Sequence, residues 1–145
     1  MKEKSKENSR SVVYSFDGRW EKALASGKVK VFFRKRRPVL TPSKVFIYVG
    51  VPVKKIIGFA SVKNIEPVDL EAAMKIKQSG AITENELISY VGTDRTVSAI
   101  WIERPTLFSE PFSLSDLSES HGFNPPQSFC KLSIEFENYL LGVTT

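Results

Sequence analysis

The chain is poor in the residues that build metal and disulfide chemistry: one cysteine and one histidine in 145 residues. Cys130 has no partner for an intramolecular disulfide, which fits a reducing compartment and gives the expectation of a cytoplasmic location. His121 and Cys130 lack neighbours at ligand spacing, so no zinc site is expected. No Asp/Glu cluster argues for magnesium, and no cofactor is expected. Long apolar runs are missing too. None approaches the roughly 20 residues that a membrane-spanning helix needs, so no membrane partner is expected. Residues 1–9, Met-Lys-Glu-Lys-Ser-Lys-Glu-Asn-Ser, lack the apolar segment of a secretory signal and read as a disordered, mixed-charge tail. The rest reads as a single domain over 10–138 and a C-terminal tail over 139–145, without repeats or an internal linker.

The most informative absence is of acid. From Lys22 to Lys63 there is no Asp or Glu, while eleven of the chain's 21 Lys and Arg fall there. The net charge of +5 therefore understates one strongly positive region. Such a field gathers polyanions, and neutralising phosphates releases their counterions. The alternative is an ordinary solvated strand and loop.

The centre of this region reads Lys28-Val29-Lys30-Val31-Phe32-Phe33-Arg34-Lys35-Arg36-Arg37-Pro38. In a strand over 29–34, Val29, Val31 and Phe33 share the core face. Lys28, Lys30, Phe32 and Arg34 share the other, three cations around a ring that could hold phosphates while a base stacks. Phe32 equally suits the core of a strand buried on both faces. Lys35, Arg36 and Arg37 then run into Pro38, which ends pairing and leaves them at a strand end to extend a phosphate-binding groove.

Elsewhere, Ser11–Phe16 reads as a first strand, and Arg19–Ala25 as a short helix closed by Gly27. Val45–Val49 is apolar throughout, a buried central strand. Lys55–Ile65 is a further strand with Gly58 as a bulge. Leu70–Lys77 looks helical, and Thr83 with Glu86 has capping-box spacing for a helix to Tyr90. Thr96–Phe108 is a long strand, Ser113–Asp116 opens a helix, and Phe129–Phe136 is a last strand. Trp101 and Tyr48 read as core, His121 as a helix C-cap, and Cys130 as buried and inert. Gln127 and Ser128, stiffened by Pro125-Pro126, either read a base edge or cap their own turn. The pattern is α+β, with about six short, mostly antiparallel strands in a curled sheet or barrel and short flanking helices.

Three motifs in order carry a resemblance: Ser26-Gly27 to Arg37-Pro38, Ile47-Tyr48 with Pro52 to Gly58, and Pro111-Phe112-Ser113-Leu114 with Gly122 to Phe129. Together the chain resembles the ASCH domain family of the PUA-like superfamily over residues 11–136. The resemblance implies a small PUA-like β-barrel with a cleft beside the Gly-Lys strand, suited to RNA or a modified nucleotide, with Gln127 and Ser128 at the cleft. Family relatives include an amidohydrolase acting on N4-acetylcytidine and a ribonuclease. The family pattern, roughly Gly-x-Lys-x-x-Glu-x-Arg with Thr for Glu in the amidohydrolase type, meets Gly27 and Arg34. It finds Val29 at the Lys position and Phe32 at the Glu or Thr position. Neither can supply a nucleophile or accept a proton, so no catalytic residue is assigned. The leading expectation is a non-catalytic RNA- or nucleotide-binding module, regulatory in one version, with RNA as partner. The alternative is an enzyme on RNA or a modified nucleoside, of ribonuclease or amidohydrolase type.

Overall fold

The computed structural model describes residues 7–94 and 96–143. The strands are β1 (Asn8–Phe16), β2 (Val31–Arg34), β3 (Lys44–Val49), β4 (Lys55–Val68), β5 (Val97–Ser113) and β6 (Phe129–Ser133). The helices are α1 (Glu21–Ala25), α2 (Leu70–Lys75), α3 (Glu84–Val91), α4 (Leu114–His121) and α5 (Ile134–Leu141), with single 3-10 turns at Gly18–Trp20 and Lys77–Gly80. The six strands form one sheet in the order β2-β5-β4-β3-β1-β6. β1 and β3 run parallel and every other pairing is antiparallel.

The α+β class and the largely antiparallel sheet match expectation; the closed barrel does not. β2 and β6 are the two edges of the sheet and do not pair, so the sheet curls but stays open. β2 spans four residues and spends its ladder on β5. At the open seam a side chain replaces backbone pairing: Arg34 Nη2 donates to the Ser15 carbonyl across 2.7 Å.

The alternation expected around β2 also needs correcting. Gly27 turns the chain with φ +75°, and the Lys28 amide bonds back to Ala23 O at 3.0 Å. Lys30 N bonds to Ser79 O at 2.7 Å, so extended pairing starts only at Val31. Val31 and Phe33 pack against Ala73, Leu87 and Val91, while Phe32 joins Val29 in the opposite core. Both faces of β2 are buried. Lys28 and Lys30 precede the strand and point to solvent, not beside Phe32.

In β1 and β3 alternation holds. Val12, Tyr14, Phe16, Val45, Ile47 and Val49 face one core, and Val13, Phe46 and Tyr48 face the other with Leu117, Leu132 and Phe136. Gly58 does sit at a bulge, where the register shifts against both β3 and β5. A Cβ there would collide with the Thr106 carbonyl oxygen, so only glycine fits. The capping box on α3 forms as read: Glu86 N donates to Thr83 Oγ1 at 3.1 Å, and Thr83 N to Glu86 Oε1 at 2.9 Å. Ser113 caps α4 by accepting from Asp116 N at 3.2 Å.

The last expected strand ends at Ser133, which instead caps α5 by accepting from Phe136 N at 3.0 Å. Leu140 of that helix is buried in the core, so packing continues past residue 138. Of the expected tail 1–9, residues 1–6 lie outside the described residues. Asn8 and Ser9 open β1, and Glu7 O accepts from Ile134 N at 2.8 Å.

Candidate functional site

The open seam of the sheet is a cleft of ≈ 750 Å³. Its floor comes from the ends of β1 and β2 (Ser15, Phe16, Phe32, Arg34), one wall from Asp17, Arg19 and Trp20, another from Glu86 and Tyr90, and its lip from Lys35, Arg36 and Gln127–Phe129. The curl that keeps β2 from reaching β6 is therefore what makes the cavity.

Arg34 is its chemical centre. The guanidinium carbon lies 4.6 Å from the Phe16 ring centre, 5.1 Å from Phe32 and 5.5 Å from Tyr14. Such cation–π contacts orient the fork without neutralising it. Nη1 donates to its neighbour's carbonyl, Phe33 O, at 3.2 Å, and Nη2 to Ser15 O. Among the described residues, no ion pair involves Arg34. Burial pushes its pKa down, partly opposed by its electrostatic neighbours, Asp17 among them. Guanidinium stays protonated in proteins. The result is a sunken, directed cation with spare donors and no carboxylate in contact, which an oxyanion would complete.

The cations around it are differently placed. Arg19 is bound to Glu86 as a two-pronged ion pair, lies 3.8 Å from the Trp20 ring centre and donates to Ala81 O at 3.3 Å. Arg19 and the Thr83 amide hold the Glu86 carboxyl down at about 2. Lys35 pairs with Asp94 at 3.3 Å, and its amide donates to Tyr90 Oη at 2.9 Å. Tyr14 is buried, which raises its hydroxyl pKa, and it donates to Arg36 O at 3.0 Å, fixing the start of the following loop.

Of the residues singled out from sequence, Phe32, Arg34, Lys35, Arg36, Gln127 and Ser128 are brought together at the cleft. Phe32 is buried in the core and also lines the cleft. Arg37 is exposed beyond the lip, and Lys28 and Lys30 lie off the cleft. The segment leading to Gln127 and Ser128 is pinned to β1, with Ser15 N donating to Ser128 O at 3.1 Å and Ser15 Oγ to Pro126 O at 2.7 Å. Among the described residues, neither the Gln127 nor the Ser128 side chain caps its own turn. Sequence reasoning missed Asp17, Arg19, Trp20, Glu86 and Tyr90. Arg19-Trp20 beside Asp17 was a visible polar-aromatic cluster, and Glu86 was read only as a cap. Tyr90 carries no sequence signal.

The other residues weighed for chemistry lie away from the cleft. His121 ends α4, shares a 2.8 Å hydrogen bond with Ser120 Oγ through Nδ1, and stacks on Phe136 with centroids 5.0 Å apart. Burial pushes the Cys130 thiol up, which favours the unreactive form. Trp101 is half-buried, its Nε1 donating to Glu66 at 2.9 Å. Among the described residues, no group of three or more His, Cys, Asp or Glu could hold a metal ion, and no helix is long and apolar enough to cross a membrane.

The chain is 29% identical over 140 residues to a curated protein of Zymomonas mobilis named "ASCH domain-containing ribonuclease", covering 94% of this chain and 93% of that one. The crystal structure of ASCH from Zymomonas mobilis superposes with a TM-score of 0.85 at 29% identity, covering 94% of this chain and 96% of the other. These likenesses in sequence and structure support an ASCH domain. Among solved forms of the Zymomonas mobilis ASCH protein are a serine-to-alanine variant, matched at 27% identity and TM-score 0.85 over 96% of this chain and 99% of that one, and a tyrosine-to-phenylalanine variant. The chain also shares its fold with the N-terminal domain of Staphylothermus marinus McrB, at TM-score 0.60, 12% identity and 94% coverage of each chain. No family model matches the chain.

Proposed function

We propose that this ASCH domain binds single-stranded RNA, seating a phosphate on Arg34 and a base against the cleft's aromatic wall, in the cytoplasm. The observation that carries this reading is the Arg34 guanidinium, sunk among three rings without a carboxylate contact at the floor of an open cleft. An aromatic lining beside such a cation suits stacked bases on a phosphate chain, since every base offers a π-face. Lys35 and Arg36 continue the positive lip, and Gln127 and Ser128 offer unengaged polar side chains to a base edge. Lys28 and Lys30 act at longer range, as part of the field that draws the polyanion in.

The test is fluorescence anisotropy with a labelled single-stranded RNA across salt. If about four phosphates are neutralised, log K falls with log salt at a slope of about −3. Affinity that stays flat with salt overturns the reading.

The name of the Zymomonas relative, a ribonuclease, favours a second reading in which the bound RNA is cut. Cleavage without metal needs a base to take the 2′-hydroxyl proton and an acid to protonate the leaving 5′-oxygen as the P–O5′ bond breaks. Asp17, Tyr90 and Ser128 are the cleft groups with the chemistry to serve. Labelled RNA incubated in chelator decides between the two. RNA left intact by micromolar protein leaves a binding module; fragments that Ser128→Ala abolishes make it a ribonuclease. Deacetylation of N4-acetylcytidine belongs to neither reading, because Val29 and Phe32 are both core residues here.

A further inference from the structure

The segment from Lys35 to Ser43 is tied down at both ends and apolar at its tip. At its start, Lys35 N bonds to Tyr90 Oη, Tyr14 Oη donates to Arg36 O, and Pro38 is buried. At its end Pro42 is buried, Ser43 N donates to Arg10 O at 2.7 Å, and Val62 N donates to Ser43 O at 3.0 Å. Between these anchors Val39 is 99% exposed and Leu40 80%. Isolated exposed aliphatics are ordinary. Here two adjacent ones are held out on a loop whose flanks are fixed, so they do not simply fold back onto the core.

The loop's surroundings indicate its occupant. Its first two residues, Lys35 and Arg36, line the cleft, and the exposed Arg37 continues the cations toward Val39. Leu40 is four residues past Arg36, at most about 14 Å of extended chain. A partner that leaves the cleft along this lip must be anionic and must also offer apolar faces within that short reach. Single-stranded RNA does both, because its phosphates and its bases alternate along one chain. Aliphatic side chains are used in this way as wedges against base faces.

We infer that the Val39–Leu40 tip is a second base-binding subsite, against which a nucleotide outside the cleft packs while Arg36 and Arg37 hold the intervening phosphates. This rests on the RNA reading of the cleft, and the test separates the two. The probes are a dinucleotide and a decanucleotide of single-stranded RNA. The variants are Arg34→Met and the double Val39→Ser with Leu40→Ser, whose exposure leaves thermal stability unchanged.

The loop variant is expected to lower decanucleotide affinity by roughly tenfold and to leave dinucleotide affinity unchanged. Undiminished decanucleotide binding overturns the subsite. An equal loss for both probes also overturns it, because the loop then acts by shaping the cleft. Arg34→Met weakens both probes; if it weakens neither, the cleft reading fails, whatever the loop does. Sedimentation with phosphatidylserine vesicles closes the remaining route. Vesicle binding that the loop variant abolishes assigns the tip to a lipid surface and overturns the inference.

Discussion

The two faces of the central strands carry almost the same kind of residue and do different work. On one, Tyr14, Phe16 and Phe32 meet at 5.0–5.1 Å in edge-to-face pairs, and the Arg34 guanidinium lies among them. On the other, Phe46, Phe59, Phe108, Phe112 and Tyr139 form a continuous chain of ring contacts, with centroids from 5.1 to 5.9 Å apart. Most of that second face is covered by α4 and α5, with His121 stacked into it, and the ring chain ends at the exposed Tyr139. The first is left uncovered along the seam between β2 and β6. Aromatic content alone thus does not mark a site. What separates a core from a candidate site is a cation set among the rings, with an open side facing water.

The helix-covered face should carry stability and not binding. Phe46→Ala, at a fully buried position, should cost about 3–5 kcal/mol in chemical denaturation while the folded fraction keeps its RNA affinity. Loss of binding without loss of stability would reverse the two roles. Arg34→Met tests the open face. Its expected effect is a drop in RNA affinity of roughly a hundredfold, about 2.7 kcal/mol, with melting temperature equal or higher, because a desolvated charge without an ion partner is removed. Arg34→Lys should recover little, since an ammonium cannot reproduce the fork held by Ser15 O and Phe33 O. A marked loss of stability in Arg34→Met, with binding intact, would show the residue to be a seam clasp and no more.

Smaller effects sharpen the picture of the cleft's wall. Thr83→Ala removes the cap of α3 and should cost about 1 kcal/mol, read as a lower denaturation midpoint. An unchanged midpoint would mean that packing of Leu87 and Val91 alone holds that helix. The smallest effect is in pH. The Glu86 carboxyl is held at about 2, below its unfolded value, by Arg19 and the Thr83 amide. A depressed acid contributes stability that is present above the unfolded pKa and is lost as pH falls through the folded one. The melting-temperature gap between the parent and Glu86→Gln should therefore be constant at neutral pH and shrink from about pH 4.5 toward pH 2. The pair is half-exposed, so the gap should be a few degrees at most and narrow in high salt. A gap that widens in acid would show that another group dominates.

Where one short stretch of chain decides the outcome, it was legible beforehand. Thr83 and Glu86 form the capping box because both partners sit within one helical turn. Gly27 closes α1 because its turn needs a positive φ, Gly58 marks the bulge, and the apolar run Val45–Val49 can only be an interior strand. Arg34 and the charge segregation around it were visible for the same reason. The helix α5 was the local exception. Ser133 followed by Glu135 and Glu137 was a start signal, but the apolar residues from Phe129 onward masked it.

What only the tertiary structure decided is everything that joins distant segments. The parallel pairing of β1 with β3, the failure of β2 to reach β6, and the approach of α3 to the 3-10 turn at Gly18–Trp20 depend on how the curled sheet packs on its two cores. No periodicity encodes these. Lys28 and Lys30 looked equivalent to Arg34 because alternation assumes an extended chain, and backbone bonds to Ala23 and Ser79 remove that assumption. Arg34 differs from its basic neighbours because β1, from elsewhere in the chain, brings Tyr14, Phe16 and the Ser15 carbonyl around it. Charge is a property of a residue and is written in the sequence; desolvation and the lack of a counterion are properties of a place, and only the fold makes the place.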